Sequence, residues 1–134
     1  MAQLRQQKAR LYKDFDLDFG KNAITGDINK KIDVNAVKQS MQNLLMTLPF
    51  ERPFHPEIGS DLYRQLFEPM NTFAASGIEK SVTNLFENYE PRVEITNVNV
   101  MPRYDYNEYR VKVYFNIRGI NNPQELELDL ERLR

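Results

Sequence analysis

Cysteine is absent from this chain of 134 residues, which removes disulfides, thiol nucleophiles and thiolate metal sites together. Histidine occurs once, as His55 between Pro53 and Pro56, with no second histidine to complete a metal site. Glycine is scarce and scattered, at Gly20, Gly26, Gly59, Gly77 and Gly119, so neither a phosphate loop nor a dinucleotide fingerprint can be assembled. There is no surplus of positive charge. The 18 lysines and arginines stand against 19 acidic residues, a net charge of −1, which argues against a nucleic-acid partner. No apolar run approaches a membrane span and the N-terminus lacks a signal peptide's apolar core, so the expectation is a cytoplasmic chain without a membrane partner. Internal repeats and low-complexity stretches are lacking too.

What is present is a balanced soluble composition, 41% hydrophobic and 28% charged, and a length suited to one core. Met1 to Lys13 carries Arg5, Lys8, Arg10 and Lys13 with no acidic residue and reads as a basic N-terminal arm (1–13), leaving 14–134 as a single domain. Asp14 to Phe19 alternates strictly, as an edge strand with Phe15, Leu17 and Phe19 inward. A calcium loop counted from Asp14 needs Gly at its sixth position and Glu at its twelfth, where the chain has Phe19 and Thr25, so that reading fails.

A turn at Ile24-Thr25-Gly26-Asp27 and a cap at Asp33 introduce a first helix, expected from Val34 to Thr47. Its stripe is Val34, Val37, Met41, Leu44, Leu45 and Leu48, its exposed face includes Asn35, Lys38 and Gln39, and Pro49 stops it. Pro49, Pro53 and Pro56 then make a stiff loop that holds Arg52, Pro53, Phe54 and Glu57 in set directions with little entropy left to lose. Ser60 or Gly59 is the expected cap of a short helix through Leu62, Leu66 and Phe67, ended by Pro69. Asn71 or Thr72 caps a third helix through Ala74, Ala75, Ile78, Val82, Leu85, Phe86 and Tyr89. Within it Gly77 costs stability unless another backbone packs against it.

The chain changes character at Glu90-Pro91-Arg92. Pro91 has no N–H and drives Glu90 out of the helical region, so the helix should end at Tyr89. The flanking acid and base offer either a solvated pair of little consequence or a rigid charged surface for a partner. Beyond them the apolar period becomes two. Pairing Tyr104 with Tyr109 sets Val100 opposite Val113 and Val98 opposite Phe115, with a bulge near Thr96 and Asn97. After a turn at Asn121-Asn122-Pro123, a third strand through Leu126, Leu128 and Leu130 pairs Phe115 with Leu126, Arg110 with Glu131 and Lys112 with Asp129. A terminal helix through Leu126, Leu130 and Leu133 is the alternative. The fold class is therefore α+β: three helices followed by a three-stranded antiparallel sheet, with room for an N-terminal strand.

Catalytic, cofactor and metal sites are all read as none. The one enzymatic reading with residues behind it is glycoside hydrolysis, for which Glu57, Asp61, Glu68 and Glu90 are the carboxylates available by position.

Taken together, Glu51-Arg52-Pro53-Phe54-His55-Pro56-Glu57-Ile58-Gly59-Ser60-Asp61-Leu62, Leu66-Phe67-Glu68 and Tyr89-Glu90-Pro91-Arg92 resemble the small baseplate wedge family of contractile phage tails. The resemblance extends to the related wedge subunit of type VI secretion baseplates and runs from about Asp16 onward. The family often carries a lysozyme-like label, and a soluble anti-adaptor protecting a stress sigma factor is similar in fold, so fold alone does not assign the role. The resemblance implies a structural subunit, not an enzyme, repeated in a sixfold baseplate of the virion tail and assembled in the host cytoplasm. It further implies that Glu90, Pro91 and Arg92 clamp the core bundle of other wedge proteins, that Arg52, Pro53 and Phe54 present a structured loop, and that the sheet bearing Arg110, Lys112 and Asp129 accepts strands from the first sheath subunits.

Overall fold

The computed structural model describes residues 13–15, 23–24 and 30–132. Two short strands, β1 (Lys13–Phe15) and β2 (Lys30–Ile32), pair antiparallel as a ribbon of their own. The alternating stretch at Asp14 thus contributes to a strand, paired with β2 and not at the edge of the main sheet. The arm before Lys13 and the residues Asp16 to Phe19 lie outside the described residues, as do Thr25, Gly26 and Asp27 of the expected turn and Leu133 of the alternative helix.

Helix α1 (Val34–Met46) buries Ala36, Val37, Met41, Leu44 and Leu45, the stripe read from spacings of three and four. It ends one residue early, leaving Leu48 outside the helix and half exposed. Asp33 stands at the cap position with φ 51, and its side chain does not cap; only its carbonyl joins the helix, accepting the Val37 N–H. Gln39, assigned to the exposed face, is buried. Helix α2 (Leu62–Leu66) buries Leu62 and Leu66 and leaves Phe67 exposed. It is preceded by Asp61 at the cap position, not by Ser60 or Gly59. Helix α3 (Thr72–Tyr89) is capped as expected, with the Asn71 carboxamide oxygen accepting the Ala74 N–H at 2.7 Å, and stops at Tyr89 where Pro91 forbids continuation.

The sheet follows in the order β3 (Val93–Arg103), β4 (Glu108–Ile117), β5 (Gln124–Glu131), all antiparallel. The helices pack on one face and enclose a core with Phe86, Met41, Leu45 and Ile78 on the helical side and Tyr109, Val111, Val113, Phe115 and Ile117 on β4. The expected bulge is found as a register shift between Ile95 and Asn97.

Both registers differ from the expectation by two residues. Val100 faces Val111, Val98 faces Val113, and Phe115 faces Gln124, with Leu126 opposite Val113. For the β3–β4 register the cause lies in the turn between those two strands. Tyr104–Tyr106 form a 3₁₀ turn and Asn107 closes it in the left-handed region at φ 54, a conformation that asparagine tolerates. Arg103 and Glu108 therefore close the hairpin, not Tyr104 and Tyr109. A slip of two preserves side-chain parity, so the apolar rows still share the core face. In the β4–β5 register Arg110 stands opposite Asp129 and Lys112 opposite Glu127, in place of Glu131 and Asp129. The terminal-helix alternative is excluded, because Leu126 to Leu130 lies in β5.

No backbone packs against Gly77. A Cβ there would meet only the Gln65 Oε1, at 3.7 Å. Gly77→Ala is expected to raise stability by about 0.5–1 kcal/mol through helix propensity, measured as an increased denaturation midpoint with unchanged slope.

Candidate partner-binding surfaces

The joint after α3 is held from three directions. Glu90 leaves the helix with φ −125 and ψ 80 while its N–H still reaches the Phe86 carbonyl at 3.0 Å. Its side chain turns inward and is only 3% exposed. Arg92 donates to it in bidentate fashion, Nε to Oε1 at 2.7 Å and Nη2 to Oε2 at 2.9 Å, and the Ser40 hydroxyl of α1 donates to Oε2 at 2.6 Å. Burial acts to raise the carboxyl pKa and is the largest single influence. The hydrogen bonds from Arg92 and Ser40, the Arg92 charge and its backbone amide together outweigh burial and hold Glu90 below the ordinary glutamate value. The Arg92 carbonyl accepts the Arg118 N–H at 2.9 Å, which ties the joint to the end of β4. The joint presents exposed Pro91 and the part-exposed Arg92 guanidinium, while the Glu90 carboxylate is engaged inside the chain.

The proline loop is equally constrained. The Phe50 N–H donates to the Pro56 carbonyl at 3.0 Å, and the Glu51 carboxylate accepts the Leu48 N–H at 2.8 Å. Gly59 lies so close to Pro49 that a Cβ would stand 2.6 Å from its nitrogen. Only glycine permits that approach. Phe50 itself sits at φ 65, a strained position for a bulky residue. Ser60 is buried and donates to the Leu45 carbonyl at 2.9 Å, so its hydroxyl anchors the loop to α1. The result is a fixed scaffold on which Arg52, Pro53 and Phe54 are exposed, with Phe50 and Phe54 at 82% and 90%. The Tyr89 hydroxyl donates to the Glu57 carbonyl at 2.9 Å, linking the loop to the last turn of α3 beside the joint.

On the sheet face away from the core, charges form a ladder. Arg110 bonds Asp129 through two nitrogens at 2.9 and 3.2 Å and approaches Glu127 at 3.2 Å. Lys112 lies 3.5 Å from Glu127 and 3.9 Å from Glu125. Arg103 pairs with Glu108 and stacks 4.2 Å over the Tyr106 ring. The Arg110 hydrogen bonds, more than the nearby charges, hold the Asp129 carboxyl below its ordinary range against a smaller opposing effect of burial.

The four carboxylates of the hydrolytic reading are not brought into one cleft. Glu57 lies on the exposed loop, paired with His55 at 3.2 Å, Asp61 and Glu68 flank α2 on the surface, and Glu90 is buried in its ion pair. Glu57 is held below the ordinary glutamate value, chiefly by a backbone hydrogen bond, and Glu90 is lowered also. Among the described residues no cluster of three or more His, Asp or Glu side chains could hold a metal. Ser40 was not legible as a site residue, since its partner lies fifty positions away.

The family model described as "Baseplate wedge protein gp25" matches residues 33–122. The baseplate wedge protein gp25 of Enterobacteria phage T4 is 34% identical over 122 residues, covering 88% of this chain and 87% of that protein. In fold, the chain is similar to one in the anti-feeding prophage baseplate, with a TM-score of 0.71 and 21% identity over 83% of this chain and 89% of the other. A Geobacter sulfurreducens protein bearing a tail-lysozyme label gives 0.68 with 23% identity over 73% and 89%. A chain of the post-contraction pyocin R2 baseplate gives 0.52 with 21% identity over 84% and 96%. On the extent of the family match and its identity to the phage T4 protein, the chain belongs to the baseplate wedge protein gp25 family.

Proposed function

We propose that the protein is a structural subunit of a contractile-tail baseplate wedge, present in several copies around a sixfold plate. In this reading Pro91 and Arg92, set by Glu90, seat on the core bundle of other wedge proteins, with the Arg52-Pro53-Phe54 loop contributing beside them. The sheet bearing Arg110, Lys112 and Asp129 faces the first sheath subunits, and assembly takes place in the host cytoplasm. The observation that carries the reading is the buried, bidentate Glu90–Arg92 pair. A guanidinium fixed by a buried carboxylate is pre-organised for one partner geometry and loses little entropy on docking.

Hydrolysis is disfavoured on chemistry. A glycosidase needs a carboxyl kept protonated by a raised pKa opposite a second carboxylate, whereas Glu57 and Glu90 are both lowered. Purified protein is expected to show no peptidoglycan turnover. Turnover abolished by one Asp or Glu substitution would displace the structural reading.

The surfaces are separated by Asp129→Lys, which places a third cation beside Arg110 and Arg103. The fold should persist, because exposed pairs contribute little to it, with a slightly lowered melting temperature that recovers as salt screens the repulsion. Counted by electron microscopy, sheath-bearing tails should fall more than baseplates. Equal loss of both would mean that the sheet and the joint have been assigned the wrong partners.

A further inference from the structure

The two edges of the sheet are not equivalent. Val100 donates its N–H to the Glu79 carboxylate of α3 at 3.1 Å, away from β4. In an antiparallel ladder alternate residues point to alternate sides, so Val98, Val100 and Pro102 are the outward positions of β3 beyond the bulge. Glu79 occupies the second of these and proline removes the donor from the third. The Ile95/Asn97 shift breaks the edge on the other side. An open groove of about 530 Å³ runs between α3 and this bulged part of β3, and Glu79 lines it.

At the opposite edge, the Arg132 N–H donates to the Asn107 carbonyl, which extends the β4–β5 ladder and fixes its phase. Even-numbered residues of β5 bond to β4, and Glu125, Glu127, Asp129 and Glu131 turn their backbone groups outward. Among the described residues no backbone group takes these up. Their carboxylates share one face, outnumbering the lysine and arginines they meet and remaining well exposed, while Leu126, Leu128 and Leu130 occupy the other face. Edge strands are commonly protected by charge, proline or bulges. Here all three kinds of protection are present, but the proline and the bulge are confined to β3.

We propose that Glu79 closes the β3 edge against strand addition, leaving β5 as the edge that receives a single partner strand in which basic residues alternate with apolar ones. This rests on the reading of the sheet as a partner surface and specifies the edge and the chemistry of the strand. Main-chain bonds supply the attachment, and the side-chain rows select the sequence.

The test uses the full chain and two short synthetic peptides, one alternating valine with lysine and one alternating valine with glutamate, read by amide hydrogen exchange at low salt. The valine–lysine peptide should protect Glu125, Glu127, Asp129 and Glu131 and leave Val98 and Val100 unchanged, and the valine–glutamate peptide should protect neither edge. Glu79→Ala should free the Val100 amide and add a second protected stretch along β3. Glu79→Gln, which retains the accepting oxygen, should not, and Pro102→Val, which restores a donor to that edge, should strengthen the effect in Glu79→Ala. Protection of β3 in the wild type, equal binding of both peptides, failure to protect β5, or a β3 edge still closed in Glu79→Ala would each overturn the proposal. Baseplate incorporation is scored separately on particles, so failure here is distinguishable from failure of the wedge assignment.

Discussion

Leu130→Asp is expected to unfold the protein. Leu130 is 5% exposed and lies opposite fully buried Tyr109. The substitution removes a buried apolar side chain and puts a carboxylate into the core without a partner, together a loss of more than about 4 kcal/mol. A domain of this size has only about 5–15 kcal/mol in total. Circular dichroism should show loss of the cooperative transition or a melting temperature lowered severely. Leu128→Asp should be distinctly milder, because Leu128 is only partly buried although it shares the parity of Leu126 and Leu130. Alternation alone treats the three leucines as equals. Equal damage at Leu128 and Leu130 would mean that the core does not taper along β5 as described.

Glu90→Ala is expected to destabilise the fold by about 2–3 kcal/mol, below the usual cost of orphaning a buried charge because Arg92 can partly rehydrate. The Ser40 hydroxyl loses its acceptor in the same step. This differs from what a solvated pair would do, and it means that single substitutions at the joint confound folding with assembly. Replacing both members, as Glu90→Met with Arg92→Met, removes the charges together and should keep stability near the wild type, while deleting the guanidinium that a partner would meet. The pH dependence follows from the same contacts. Glu90 has a folded pKa below its ordinary 4.5, so its stabilising contribution is complete above that value and disappears as the pH falls through the lowered one. Glu90→Gln should therefore be less stable than the wild type at neutral pH and should lose less stability on acidification. An unchanged acid limb of the stability profile would remove Glu90 from this role.

The parts of the fold that were legible are those written locally. Prolines and three–four spacing delimit α1 and α3 to within a residue, and parity places Val98, Val100, Val111 and Val113 on one face in the expected register and in the observed one, which differ by two. What escaped depends on a single backbone choice or on distant contacts. Asn107 in the left-handed region moves the β3–β4 closure by a residue on each strand, while the pairing of Arg110 with Asp129 belongs to the separate β4–β5 register. Asp33 has a good capping side chain but the wrong backbone, with φ 51. At the joint, residue types and Pro91 marked the position, but the burial of Glu90 is set by Ser40, on another helix. The same holds for Glu79, whose helical neighbours carry no sign that its carboxylate reaches the edge of β3.

The most direct measurement is an electron cryomicroscopy reconstruction of the tail assembled with this chain, set beside one assembled with the Glu90→Met/Arg92→Met variant. With the wild type, density for the chain should appear around the sixfold plate with Arg92 against a helical neighbour; with the variant, folded by circular dichroism, it should be missing. Full incorporation of the variant, or a wild-type joint facing solvent, would contradict the account.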